Sequence, residues 1–420
     1  MIAGGGNVLA PAGSGCQHPL TVPAGPVLFH VEGAGIALRV LYLDTYTVSD
    51  PKVGTPSSDA IGYGLTASGA IQRGLRDLGF EVVRPHPEGA TRPGSPRHAR
   101  LQWIIDGYRS ILDALRASPP DLIFSFHIFS AFPVELRRIL LDLGLSIPLV
   151  GYTHGSHWDE TDAFRFEAYP GLELLDLANL HVLDRVLLVS EYMRSTLRRS
   201  IGAFNVGVAE QIDAKACVVG LPIDIAAIDR YSTTESFERL TVVFNHAPVS
   251  SKNPELFVRV MSSVMARYAV NVLFTRRFDA ASPAFEAVTR LAGRFEERVI
   301  LGNDMRVADY YKALWMSHIQ VSTATHESLG VSTLEAMYTG NCCILPRLGS
   351  YPEICGDHPE VLYDLGEAEL EERLSYFIEQ PERRRAVAAE LSGTALRYRP
   401  AEVVGRIAGV ITQLCAASRS

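Results

Sequence analysis

Lysine is nearly missing from this chain of 420 residues: only Lys52, Lys215, Lys252 and Lys312 occur, and arginine supplies the rest of its 39 basic residues. The skew reads as a compositional bias of the coding sequence, and it makes each lysine stand out. Cysteine is also scarce. The six, Cys16, Cys217, Cys342, Cys343, Cys355 and Cys415, form no CxxC pair and no spaced framework, which argues against a zinc or disulfide scaffold. Cys342 and Cys343 lie in an apolar Cys-Cys-Ile-Leu run and read as small buried hydrophobes. Reduced thiols point to a cytoplasmic protein. No stretch reaches ~18 uncharged apolar residues, so no transmembrane span is predicted. Met1 to Ala12 carries no basic residue, so no secretory signal is predicted. There is no repeat at a period of roughly 20–50 residues. The 47 acidic residues outnumber the basic ones for a net charge of −8. That disfavours broad, sequence-blind nucleic-acid binding and leaves room for a local basic groove.

What is present is ordinary for a globular enzyme: 47% hydrophobic and 20% charged residues. Short apolar runs alternate with helical spacing. Strands are predicted at Ala37–Asp44, Phe80–Val83, Asp121–Phe126, Ile147–Thr153, Arg185–Val189 and Ala216–Val219. Helices are predicted at Ala67–Leu78, Leu101–Arg116, Val134–Leu143, Leu172–Ala178 and Glu191–Arg199, with a Pro-rich loop over 85–97. The rhythm breaks near 222–238 and resumes. Strands follow at Leu240–Asn245, Val270–Thr275, Val299–Leu301, Ile319–Thr323 and Cys342–Leu345, with helices between them and a helical tail from Glu367. Alternation of this kind predicts an α/β protein with two doubly wound, Rossmann-like domains facing across a cleft. The expected divisions are a partly ordered extension at 1–36, domains at 37–225 and 226–398, and a helix at 399–420 packing back toward the first domain. Ligands then belong at the carboxyl ends of strands.

Three segments fall at such ends. His326-Glu327-Ser328-Leu329-Gly330-Val331, running on to Glu335, follows a strand and opens a helix. Gly330 permits close backbone approach, and the first helical N–H groups favour an anion such as a phosphate. Glu327 and Glu335 then reach hydroxyls on either side of it, as a nucleotide sugar would present them. The same run also reads as an ordinary acidic helix start. The second segment, Asn245-His246 through Lys252-Asn253-Pro254, places a rare lysine where it can neutralise a diphosphate, or simply sit in solvent beside a capped helix start. The third, His154-Gly155-Ser156-His157, follows a first-domain strand. His154 there is either catalytic or hydrogen-bonded scaffolding, and no metal site is predicted, because no third ligand is suitably spaced.

Together these segments resemble the retaining GT-B glycosyltransferases of the family 4 type. Over about 240–365 they are similar to the tRNA-queuosine mannosyltransferase branch, through Asn245-His246, Lys252-Asn253-Pro254-Glu255, Val321-Ser322-Thr323-Ala324, Glu335-Ala336 and Ser350-Tyr351-Pro352-Glu353. In the first domain the resemblance is patchy. Two departures stand out: Ala247 where the branch has arginine, and His154-Gly155-Ser156-His157 where it has His-Glu-Asn-Gln. Arg276 or Arg277, at the end of the Val270–Thr275 strand, is the expected replacement cation; a solvated strand end is the plainer reading of both.

The resemblance implies retaining transfer of a hexose-type sugar from a GDP- or UDP-linked donor to a small-molecule acceptor, natural-product or nucleoside-like, with no cofactor and no metal. His154, Glu327 and Lys252 would be catalytic. Asn245, His246, Arg276, Arg277, His326, Ser328, Leu329, Gly330, Val331 and Glu335 would bind the donor. A tRNA acceptor, as in a tRNA-queuosine-type mannosyltransferase, is the alternative. A non-catalytic nucleotide-sugar-binding protein is the alternative from another class.

Overall fold

The computed structural model describes residues 37–43, 63–84, 109–128, 133–162, 171–364 and 366–419. The expected extension at 1–36, the loop over 85–97 and the start of the helix expected from Leu101 lie outside them.

In the first half, β1 (Arg39–Leu43), β2 (Glu81–Val83), β3 (Leu122–Ser125), β4 (Leu149–Thr153), β5 (Arg185–Leu188) and β6 (Ala216–Val218) form one sheet in the order β2-β1-β3-β4-β5-β6. Helices α1 (Tyr63–Asp77), α2 (109–117), α3 (Pro133–Asp142), α4 (Leu172–Val182), α5 (Glu191–Phe204) and α6 (Val206–Lys215) connect the strands. All four residues of β3 and all five of β4 are buried, as expected for strands covered on both faces. Ser190 caps α5 and Asn205 caps α6 through their side chains.

The second sheet runs β12-β11-β10-β7-β8-β9, with β7 (Thr241–Phe244), β8 (Asn271–Phe274), β9 (Val299–Leu301), β10 (Ile319–Val321), β11 (Cys342–Pro346) and β12 (Leu362–Tyr363). Its helices are α7 (Ile225–Asp229), α8 (Pro254–Arg267), α9 (Pro283–Arg294), α10 (Val307–Met316), α11 (Val331–Tyr338), α12 (Tyr351–Cys355), α13 (Glu367–Glu379) and α14 (Pro381–Ala395). Every pairing among the described strands is parallel. The doubly wound α/β class expected from the sequence is the one the chain adopts. Elements absent from the sequence reading are α6, α7, α12 and the two-residue strand β12.

The chain order reverses between β7 and β10, and their loops therefore diverge to opposite faces and leave a crevice at the strand ends. The core is continuous between the halves: Tyr42, Phe124 and Phe126 join Leu221 and Ile223 and then the second-domain strands in one apolar cluster. The last helix, α15 (Pro400–Arg419), returns to the first half. Its Val404 packs so closely on α1 that a Cβ at Gly74 would lie 2.9 Å from it. Beside it, Ile223 N–H bonds Tyr398 O at 2.9 Å, and Arg406 Nε bonds Val219 O at 2.9 Å.

Candidate functional site

The crevice between β7 and β10 is built from the residues after each strand. Asn245 and His246 leave β7 almost fully buried, at 1% and 2% exposure. Asn245 Nδ2 donates to Ser332 O at 2.7 Å, and His246 Nδ1 meets Ser332 Oγ at 2.9 Å. The two therefore hold the first turn of α11 by its backbone and its side chain. Burial, reinforced by Lys252, pulls the His246 imidazole down to about 3, so it is neutral at ordinary pH. The Gln320 amide nitrogen, 3.0 Å from Nε2, donates to it, which leaves the ring proton on Nδ1 for Ser332.

Helix α11 starts at Gly330, whose φ of 85° puts it in the left-handed region. No side chain caps this start, so its first N–H groups have no side-chain acceptor. Ser328 is partly exposed and Leu329 buried just before it, and Val331 is the first helical residue.

Lys252 comes from the turn between β7 and α8. Its Nζ lies 2.8 Å from Glu327 Oε2 and 3.1 Å from His326 O. The two side chains are only 17% and 13% exposed, so the pair is largely desolvated. Burial raises the Glu327 carboxyl, but the Lys252 charge and hydrogen bond outweigh it and hold the group below the ordinary carboxylate range. The lysine loop is itself tied down: Thr323 Oγ1 donates to Lys252 O and Asn253 O at 2.8 and 2.9 Å. Gly349 presses on Glu327 from behind, and a Cβ there would clash with Glu327 O.

Glu335, one turn inside α11, is 6% exposed. Tyr310 OH donates to its Oε2 at 2.8 Å and Tyr311 OH to its Oε1 at 3.0 Å. Burial raises this carboxyl, against the two tyrosine hydrogen bonds. Arg276 lies over the Tyr310 ring at 5.6 Å from its centre, on the Glu335 side of the crevice. Arg277 turns away: its N–H bonds Asp304 Oδ1 at 3.0 Å and its exposed guanidinium pairs with the same carboxylate at 3.4 Å. Of the two expected cations, only Arg276 faces the other site residues. Tyr310 and Tyr311 were not foreseen. Both are adjacent aromatics on an apolar helix face, a signal indistinguishable from core packing.

On the first-domain side, His154 follows β4 among Phe126, Tyr152 and His127. The His127 ring lies parallel to it within 13° at 5.8 Å. Nε2 sits 2.8 Å from Phe126 O, which can only accept, so Nε2 carries the proton and Nδ1 is the acceptor side of the ring. Burial lowers this ring to about 4, against the raising effect of the carbonyl, so His154 is neutral. His127 is a further histidine beside the site, with no motif to announce it. His326, expected on the donor, points to the first domain, with Nδ1 2.8 Å from Thr161 Oγ1. Among the described residues no group of three His, Cys, Asp or Glu is arranged to hold a metal ion, and no helix is long and apolar enough to cross a membrane.

Comparison with known proteins bears on the fold and the family. A family profile described as Glycosyltransferase Family 4 matches residues 71–208, in the first domain, where the sequence motifs were weakest. The chain is similar to the tRNA-queuosine alpha-mannosyltransferase of Drosophila melanogaster, 26% identical over 183 residues, 41% of this chain. The match spans 47% of that protein, so the chain covers about half the length of this curated relative. Among solved structures it is similar to a sucrose-phosphate synthase from Thermosynechococcus elongatus, at a TM-score of 0.68 and 15% identity over 90% of this chain and 100% of that one. It is similar to an α,α-trehalose-phosphate synthase (UDP-forming) from Burkholderia vietnamiensis, at 0.67 and 11% over 90% and 99%. It is also similar to Anabaena HepE in complex with UDP and glucose, at 0.62 and 16% over 90% and 100%. These likenesses identify the two facing parallel-sheet domains as the GT-B fold.

Proposed function

We propose that this protein is a retaining glycosyltransferase that moves a hexose-type sugar from a nucleotide-sugar donor to a small-molecule acceptor. One observation carries the reading: a desolvated Lys252–Glu327 pair stands beside the uncapped start of α11, with a buried Glu335 one turn further on. The donor is a GDP- or UDP-linked sugar. Its diphosphate takes charge as the bond to the anomeric carbon breaks, and Lys252 and the α11 N–H groups stabilise that charge. Glu327 orients the sugar and Glu335 the ribose hydroxyls. His154, neutral, binds a sugar hydroxyl or the reacting region. The acceptor oxygen attacks from the face the leaving group departs, and its proton passes to the departing phosphate oxygen. No protein nucleophile and no metal take part.

Arg276 supplies the charge that Ala247 does not. Arg276→Ala is expected to lower kcat about tenfold with a smaller change in KM, as for an interaction strengthened in the transition state. Arg277→Ala is expected to lose less, because its guanidinium is engaged by Asp304. Equal losses in the two variants would remove Arg276 from this role.

The test of the whole reading is a thermal-shift panel of GDP, UDP, ADP, CDP and dTDP with their sugars. A cognate ligand at a hundredfold excess over Kd adds ~2.7 kcal/mol of stability. Proton NMR of fresh product then reports the anomer, and EDTA leaves turnover intact. An inverted anomer or loss on chelation overturns the mechanism. The likeness to a tRNA-queuosine alpha-mannosyltransferase favours a second reading, mannosyl transfer to a queuosine-bearing tRNA. Turnover on tRNA and none on the free nucleoside would select it.

A further inference from the structure

Glu327 is held in place by residues of its own domain, but its two chain neighbours are held by the opposite domain. On one side, His326 Nδ1 meets Thr161 Oγ1 at 2.8 Å. Thr161 Oγ1 spends its own proton on Asp159 Oδ1, also at 2.8 Å, so the histidine is the donor in this contact. Asp159 is fully buried and is further held by Tyr192 OH at 3.0 Å and by Thr161 N–H at 2.9 Å. The Asp159–Thr161 turn is therefore a rigid acceptor aimed at His326.

On the other side, Ser190 Oγ donates to Ser328 O at 2.7 Å while accepting from Met193 N–H at 3.1 Å. Ser190 is the N-cap of α5, so this contact ties Ser328 to a helix end. The same helix end is gripped in return. Glu353 of α12 reaches across, and its Oε2 accepts from Glu191 N–H at 2.9 Å and Tyr192 N–H at 3.3 Å. A carboxylate from one domain thus completes the cap of a helix in the other. Glu353 belongs to the helix that follows Ser350, whose N–H bonds Glu327 O at 3.2 Å.

We infer that Thr161 and Ser190, which clasp the 326–328 tripeptide from across the cleft, and Glu353, which returns the grip on α5, are positioning residues, so that Glu327 reaches its working position only when the domains are closed. The catalytic part of this inference rests on the glycosyltransferase reading, while the clasp itself does not. The nucleotide end of the donor would be bound by second-domain residues alone. Loosening the clasp then leaves nucleotide affinity intact and slows the sugar-transfer step.

The experiment uses Thr161→Val, Glu353→Leu, which removes the acceptor, and the double variant, with Thr161→Ser as the conservative control that keeps the hydroxyl. Four quantities are measured: kcat for donor consumption, Kd for the nucleoside diphosphate found in the panel above, Tm, and the distance distribution between spin labels on α3 and α9. Each single variant is expected to lower kcat about tenfold, a value matching one lost hydrogen bond to a positioned group, with Kd and Tm nearly unchanged. Thr161→Ser is expected to retain wild-type kcat. The double variant is expected to shift the label distances to longer values without ligand. Unchanged kcat in both single variants overturns the positioning role, as does a Kd that rises in step with the fall in kcat. If the wild-type protein consumes no donor, the glycosyltransferase reading fails, and the label distances still decide the clasp: an unchanged distribution in the double variant overturns it.

Discussion

Lys252→Met is expected to lower kcat by two to three orders of magnitude and to destabilise the fold at neutral pH. The first effect follows from the lysine's place beside the start of α11. A preorganised cation facing a departing diphosphate contributes about as much as an oxyanion donor, ~10²–10³ in rate. The second effect follows from what the substitution leaves behind. Glu327 is 13% exposed, and without Lys252 its carboxylate has lost the charge that offsets its burial. Removing one partner of a buried pair costs ~3 kcal/mol, the low end of the range because both groups keep a little solvent. The pH dependence has a definite sign. In the wild type the Glu327 carboxyl is held below its ordinary value, so the pair's stabilisation is present above the unfolded carboxylate pKa of ~4.3 and is lost as pH falls through the folded one. The gap in Tm between wild type and variant is therefore widest near pH 7 and narrows below about pH 4. Thermal unfolding from pH 3 to 8 measures it. A gap that stays constant across that range would mean the lysine acts through packing of its stem and not through its charge.

Glu335→Ala is expected to weaken nucleotide binding about ten- to a hundredfold and to cost stability as well. In the folded chain both carboxylate oxygens accept from tyrosines, Tyr310 and Tyr311, that are 0% and 1% exposed. Alanine leaves two buried hydroxyl protons without acceptors, at ~1–3 kcal/mol each. The lost contact to a ribose hydroxyl adds a fall of ten- to a hundredfold in affinity, about the value of a hydrogen bond to a charged group. Glu335→Gln separates the two effects. Its amide oxygen keeps one tyrosine satisfied and its nitrogen forces the other to turn, so stability falls less while affinity still drops. Calorimetry with the cognate nucleoside diphosphate and a denaturant titration measure both. Unchanged affinity in the glutamine variant would make Glu335 an anchor for the two tyrosines and nothing more.

Much of this site was legible in the sequence, for a local reason. The Gly330 turn, the two glutamates and the lysine loop are continuous stretches in which a strand ends and a helix begins, so spacing alone brings them to one crevice. The central strands were legible because they are buried on both faces and read as apolar runs. What was not legible depends on distant partners. Tyr310 and Tyr311 acquire a role only because α10 packs beside α11. Arg276 and Arg277 are neighbours in sequence, and only the placement of Tyr310 and Asp304 separates them. Thr161 and Ser190 lie in ordinary turns, and their partners are 165 and 138 residues away. The helix α6 was hidden by a break at Asn205, which ends α5 and caps α6 at once. Strand β12 has two residues, too few for any periodicity to show.

The chain passes between its halves twice, near Gly220 and again near Tyr398, and the two passages run side by side, stitched by Ile223 N–H to Tyr398 O and by Arg406 to both Val219 O and Arg397 O. Mechanically, a single tether would allow the halves to swivel, slide and twist. Two stitched tethers behave as a piano hinge: they define an axis and leave one angle free. Gly220, at φ 79° against the Tyr398 ring, takes up the bend on that axis. The contacts around Glu327 lie away from the axis, on a lever arm, where a small rotation becomes a large separation. Rotation about that axis would break them together and its reversal would restore them in register, which gives the proposed clasp a single stroke.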